Sequence, residues 1–324
     1  MDAQDVTITV PLTITVRLGD ATGTPASAPA VALDRAAAAV HPISYYDGYL
    51  GYDPTFLQVP VRLPSLTDEQ RRNAATSTTA GPNDDPTVLP YTHFSLVMNR
   101  ARQLAYYTAV NIDGSTSNDL KRTADHWFYD GRIAESEQIG EELYQRNALD
   151  RGHLVRRLDP VWGPDFERAN EDTFHFTNCS PQHERFNQGK DLWAGLENYI
   201  LENAEALDRK ITVFTGPVTE DTDPIYKGVR LPLAFWKIIA YCRSDGTLAT
   251  AAYVLEQGAL IQEILSRAVT FDPGTYRLSI ADLDARTGLD FAYLADHELP
   301  LSSGGIERAV GHVRIAENYT NLAL

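Results

Sequence analysis

Asp150-Arg151-Gly152-His153 set an arginine two residues from a histidine, a pairing suited to an anionic substrate. A guanidinium clamps phosphate in bidentate fashion, and a neutral imidazole can take a proton near pH 7. An asparagine-rich stretch follows, Asn178-Cys179-Ser180-Pro181-Gln182 and then Asn187-Gln188-Gly189, with carboxylates downstream. A carboxamide oxygen and a nearby carboxylate are hard ligands of the kind Mg²⁺ accepts while keeping most of its waters. Together these groups suffice to hydrolyse a phosphodiester.

Singly, each piece has an ordinary structural reading. A loop histidine is commonly just hydrogen-bonded, and Asn-Gln-Gly also reads as a helix start or a turn. The order and spacing shift that balance: DRGH, an N-x-x-P-Q stretch, N-Q-G nine residues after its first asparagine, then Trp193 and Leu196-Glu197. This set resembles the DNA/RNA non-specific endonuclease family, the ββα-metal nucleases of the Serratia and endonuclease G type. The likeness covers about residues 90–295, including Phe94–Met98, Thr108–Gly114, Phe214–Pro217, Pro232–Lys237 and Thr287–Phe291.

The resemblance implies a mixed α/β (α+β) fold, a central antiparallel sheet flanked by helices, and a divalent cation, Mg²⁺ or Mn²⁺. By the same likeness His153 is the general base and Asn187 the direct metal ligand. Arg151 binds the scissile phosphate, and Asn178 supports the site near the histidine. Asp150 braces the loop or pairs with an arginine. Glu197 reaches the metal through its water shell. One departure bears on that last role: Asn187 and Glu197 are ten residues apart, two more than the family's eight. If the extra residues in Lys190-Asp191-Leu192 bulge before the helix, Glu197 keeps its place. If they extend the helix, Glu184 or Asp191 is the next candidate. Arg122 and Arg132 are both carriers for a further upstream arginine, and Arg156 is a further substrate contact. Cys179 is read as a small buried residue, since no second histidine is fixed near it by spacing. His175 and His183, eight residues apart, match no zinc spacing.

Composition sets the frame. The chain has 324 residues, 43% apolar and 22% charged, enough for a sizeable core without covalent staples. Cys179 and Cys242 are its two cysteines, read as free thiols in a reducing compartment. The start, Met1-Asp2-Ala3-Gln4-Asp5, lacks a basic n-region, and no apolar run reaches membrane-span length. The expectation is a cytoplasmic protein, with leaderless export the alternative. The net charge of −16 opposes general attraction to nucleic acid. Yet Arg146, Arg151, Arg156 and Arg157 surround a single acid, Asp150, which allows a positive cleft on an acidic body.

The elements that must position these residues follow from patterning. Residues 6–18 alternate β-branched and polar residues around Pro11, an edge-strand pattern, and 19–29 read as a linker. Ala30–Val40 is expected to be a short helix, Tyr45–Tyr52 an aromatic arm packed on the core, and Thr67–Ala75 a polar helix. Residues 92–98 and 104–112 predict a hairpin, and Asp191–Leu207 an amphipathic helix. Strands are expected at 211–215, 235–242 and 249–255, the last two antiparallel, and a glycine-ended helix at 279–285. The organisation is an N-terminal extension (1–89), a nuclease domain (90–298) and a C-terminal tail (299–324). Expected partners are DNA and RNA, a second copy of the chain in a homodimer, and a regulatory or immunity protein. The reading from another class is a non-catalytic binding module on a decayed nuclease fold; intact His153, Arg151 and Asn187 argue against it.

Overall fold

The computed structural model describes residues 39–122, 125–190, 192–266 and 275–300, with the backbone of 308–309 and 312–314. The expectations at 6–18, 19–29 and 30–38 lie outside the described residues, as does Asp191. Within the expected helix 30–40, the described pair Ala39–Val40 is extended and lies parallel to Phe128–Tyr129.

The described elements in chain order are α1 (Asp68–Asn73), β1 (Val88–Pro90), β2 (Phe94–Asn99), β3 (Leu104–Asp113), β4 (Leu149–His153) and α2 (Phe166–Asp172). Then come β5 (Cys179–His183), α3 (Glu184–Asn187), α4 (Trp193–Ala206), β6 (Lys210–Val218), β7 (Ala234–Cys242) and β8 (Leu248–Glu256). Last are α5 (Gly258–Ser266), β9 (Thr275–Leu278) and α6 (Ile280–Thr287). Strands β1, β2, β3, β6, β7, β8 and β9 adjoin in that order in one antiparallel sheet. Short strands at Arg308–Ala309 and His312–Arg314 extend its β9 edge, so part of the expected tail joins the sheet.

The expected hairpin is β2–β3, and β7–β8 pair antiparallel from Ala234↔Glu256 to Cys242↔Leu248. These strands read as nearly continuous apolar runs because both faces of the sheet are covered. Phe235, Ile239 and Tyr241 enter one core with Trp193, Leu196, Ile200 and Ala204 of α4. Trp236, Ile238 and Ala240 enter the other with Leu283 of α6 and Phe291. Alternation along β7 thus divides the two cores, as a period of two requires. Each large buried side chain contributes roughly 1.5–3 kcal/mol, so the stripe on α4 seats that helix against the sheet.

Local rules account for the helix ends. Thr67 and Gln70 form a reciprocal capping box at α1. Ser279 caps α6, and Gly288 ends it with φ 68°, the left-handed turn expected from a terminal glycine. The aromatic arm does pack inward: Tyr46 and Tyr52 are buried, in the α4-side and α6-side cores respectively. Among the described residues no helix is long and apolar enough to cross a membrane.

Candidate active site

DRGH forms not a loop but the strand β4, which pairs with β5 in a two-stranded ribbon separate from the large sheet. Asp150 lies opposite Gln182, Gly152 opposite Ser180, and His153 opposite Cys179. The glycine has a steric cause. A Cβ at Gly152 would sit 2.0 Å from Gln182 Oε1 and 2.2 Å from its Cδ, inside the buried Gln182 side chain.

His153 ends β4. Its ring lies 4.9 Å from the Trp127 ring and 5.1 Å, edge to face, from Phe174, and its Nε2 is buried without a hydrogen-bond partner. Burial pushes its pKa down to about 3, with the charges of Arg122, Arg157 and Arg151 helping and Asp125 opposing. The imidazole is therefore neutral near pH 7.

Asn178 holds the backbone that leaves this histidine. Its Oδ1 accepts from Val155 N at 3.0 Å, and its Nδ2 donates to Val155 O and Thr173 O, both at 3.0 Å. Its main-chain oxygen accepts from Leu154 N at 2.9 Å. Fully buried, it positions the chain and is sealed from substrate.

Asn187 is the last residue of α3, so the helix-start reading of Asn-Gln-Gly is corrected. That helix is capped by His183, whose Nδ1 accepts from Arg185 N at 3.1 Å. Asn187 Nδ2 donates to Asp150 Oδ2 at 2.9 Å, and Gln188 Nε2 donates to the same oxygen at 2.8 Å. Asp150 thus fixes the nitrogen side of the carboxamide, and with it the rotation of the amide that carries Oδ1. A single hard oxygen, oriented by a carboxylate behind it, fits a largely hydrated divalent cation. Among the described residues no group of three or more His, Cys, Asp and Glu side chains converges as a metal cage.

Alternation sends Asp150 and His153 to opposite sides of β4, although His153 stands at the strand's end. Arg122 bridges them electrostatically, acting on the His153 imidazole and feeling the Asp150 carboxylate. Its side chain is 62% exposed and makes a two-pronged ion pair with Asp125, at 3.0 and 2.6 Å. Arg132, the other upstream candidate, is corrected. It is fully buried, grips Asp130, and lies over the Tyr46 and Tyr91 rings. Arg151 lies 5.6 Å from the Trp127 ring and forms an ion pair with Glu141. Arg156, expected at the substrate, is turned onto α4 and donates to Asn198 Oδ1 at 2.6 Å. Arg157 is engaged by Asn170 and by Leu120 O, but its charge still reaches His153. Three arginine charges and one opposing carboxylate thus act on this imidazole.

The two extra residues lie ahead of α4, which starts at Trp193 with Leu192 at its N-cap. Glu197 is nevertheless not a free carboxylate. It is buried, and Oε1 lies 3.3 Å from Lys237 Nζ. Lys237 stands on the α4 face of β7, fully buried, with Thr215 Oγ1 at 3.1 Å and Leu154 O at 3.4 Å. In the sequence Lys237 reads as a core-strand residue, and its signal is a lone charge in the apolar run AFWKIIAYC. Trp127, Asp125 and Glu141 had no such signal, since only the fold brings them to β4. Removing Lys237 alone strands the Glu197 carboxylate. Lys237→Met is expected to lower stability by roughly 3–5 kcal/mol in urea unfolding, with much of the loss recovered when Glu197→Gln is added.

The remaining candidates are settled by their surroundings. Cys179 is buried beside Tyr144, and burial pushes its thiol up to about 12, unsuited to nucleophilic work. Both cysteines are free. His175 lies among Tyr46, Tyr91 and His41 rather than at a metal site.

Sheet, ribbon and site together define a mixed α/β nuclease-type fold. The chain belongs to the DNA/RNA non-specific endonuclease family, which matches residues 71–297. It is 42% identical over 268 residues to an uncharacterised protein of Sinorhizobium fredii, covering 78% of this chain and 40% of that one, so it spans less than half of that relative's length. A nuclease of a Nostoc species is 24% identical over 205 residues, covering 61% of this chain and 70% of its own. In fold the chain is similar to a solved EndoG/EndoGI complex, with a TM-score of 0.51 and 19% identity, covering 72% of this chain and 94% of that one.

Proposed function

We propose that this chain is a divalent-metal-dependent endonuclease that hydrolyses phosphodiester bonds of both DNA and RNA. The observation that carries this reading is the Asp150 carboxylate, on the strand that ends in His153, gripping the amide nitrogen of Asn187 on α3. In this reading Asn187, through Oδ1, holds Mg²⁺ or Mn²⁺, which when bound supplies a Lewis acid for the phosphate and its leaving oxygen.

The chain's own residues do the rest. Neutral His153 takes the proton of the attacking water on its imidazole, which is held in an apolar niche by Trp127 and Phe174. Arg151 binds the scissile phosphate and stabilises the charge that grows on it, and Arg122 binds a neighbouring backbone phosphate. Asn178 keeps His153 in register. Glu197 acts through Lys237, holding the Leu154 carbonyl that follows the histidine, rather than as an open carboxylate. A regulatory or inhibitory protein partner and a role as a controlled effector or exported toxin follow from the hazard of a broad nuclease, and a homodimer from the edge-strand pattern at 6–18.

The test is cleavage of supercoiled plasmid and of a structured RNA by the full chain, in Mg²⁺ and in EDTA. Cutting of both substrates in Mg²⁺ and neither in EDTA is expected. Intact substrates in both conditions would remove the reading and favour a non-catalytic binding module.

A further inference from the structure

The two arginines best placed to meet substrate phosphate are already paired with carboxylates. Arg151 Nη1 is held by Glu141, and Arg122 is held through Nε and Nη2 by Asp125. Glu141 sits in the segment before β4, 40% exposed in its side chain, and Asp125 lies ahead of Trp127, 23% exposed. These pairs differ from those that build the fold. Arg132–Asp130 and Lys237–Glu197 are sealed in the interior, whereas both site pairs stay open to water. An exposed pair of this kind stabilises a fold by only about 0–1 kcal/mol, so stability gives little reason for two beside one histidine. A phosphate offers the same two-pronged acceptor geometry as a carboxylate, and the guanidinium binds either.

We propose that Glu141 and Asp125 are internal counter-ions that a nucleic-acid backbone must displace, and that they determine specificity. This rests on the endonuclease reading and refines its substrate class. A single phosphodiester can release one arginine at most, while successive phosphates along a strand release both. The site therefore favours polymers carrying adjacent phosphates over isolated phosphodiesters, and the carboxylates, returning to the arginines, help product leave.

The test measures binding apart from catalysis. Full-length protein in EDTA is titrated against a fluorescein-labelled single-stranded oligonucleotide and read by anisotropy, with Glu141→Gln, Asp125→Asn and the double variant. Glu135→Gln serves as a control of equal charge change, since Glu135 is exposed and in the same segment. Each site variant is expected to tighten binding about threefold to tenfold, the double variant more, and the control little; about tenfold corresponds to 1.4 kcal/mol. Competition by a dinucleoside monophosphate should improve less than competition by the oligonucleotide. Weaker binding in the site variants would show that the carboxylates brace the arginines, and tightening equal to the control would reduce the effect to net charge. Either result overturns the proposal. Failure of the unaltered chain both to bind the oligonucleotide and to cut plasmid in Mg²⁺ would instead overturn the endonuclease reading beneath it.

Discussion

Replacing His153 with alanine is expected to lower plasmid cleavage by roughly 10²–10⁴-fold, the usual contribution of a positioned acid–base group. The fold should persist. The strand that carries the residue is held by its ladder to β5 and by Asn178, none of which uses the imidazole. Unchanged circular dichroism beside lost cleavage separates a chemical role from a structural one. The pH dependence follows from the niche. Burial, with three neighbouring arginine charges, drives the imidazole down to about 3, so its active neutral form is present above that value. In kcat/KM of the free enzyme no acid limb from His153 is expected between about pH 5 and 8. Removing the first-named of those arginine charges, by Arg122→Gln, should move any acid limb upward.

The second large effect belongs to Asn187. Asn187→Ala removes the proposed ligand oxygen, and Mn²⁺ binding measured by calorimetry is expected to fall below detection. Asp150→Ala leaves that oxygen in place but frees the carboxamide to rotate. Loss of such an orienting partner typically weakens metal affinity about 10–100-fold. A graded result, with Asp150→Ala between the unaltered chain and Asn187→Ala, is therefore expected. Equal Mn²⁺ affinity in all three proteins would place the cation elsewhere. Cleavage should follow the same order, because the histidine niche is untouched by either change.

Much of this architecture was legible from patterning. The β2–β3 and β7–β8 pairings came from runs of β-branched and aromatic residues, and α4 from apolar residues at three- and four-residue spacing. Ser279 and Gly288 bounded α6 as capping rules require. What patterning could not show were partnerships made across the fold. Arg122 and Arg132 are alike in sequence, yet one is held at the surface by Asp125 and the other is sealed against Asp130. Glu197 sat in the expected motif, but its partner is supplied by a sheet strand forty residues later. DRGH read as a loop because its strand is only five residues long and Leu149 is its one apolar side chain. Asn187 read as a helix start for a similar reason, since a four-residue helix leaves no periodic trace.

One experiment bears most directly on the idea that the imidazole of His153 and the carboxamide of Asn187 serve the same cation. The chain has eight histidines, so ¹⁵N-histidine labelling gives a small set of ring resonances, with His153 assigned by its absence in His153→Ala. On titration with paramagnetic Mn²⁺, the His153 resonances should broaden first and most strongly, and Asn187→Ala should abolish that selective broadening. If another histidine responds first, or if His153 broadens equally in the Asn187→Ala protein, the two side chains do not share a metal and this account of the site is wrong.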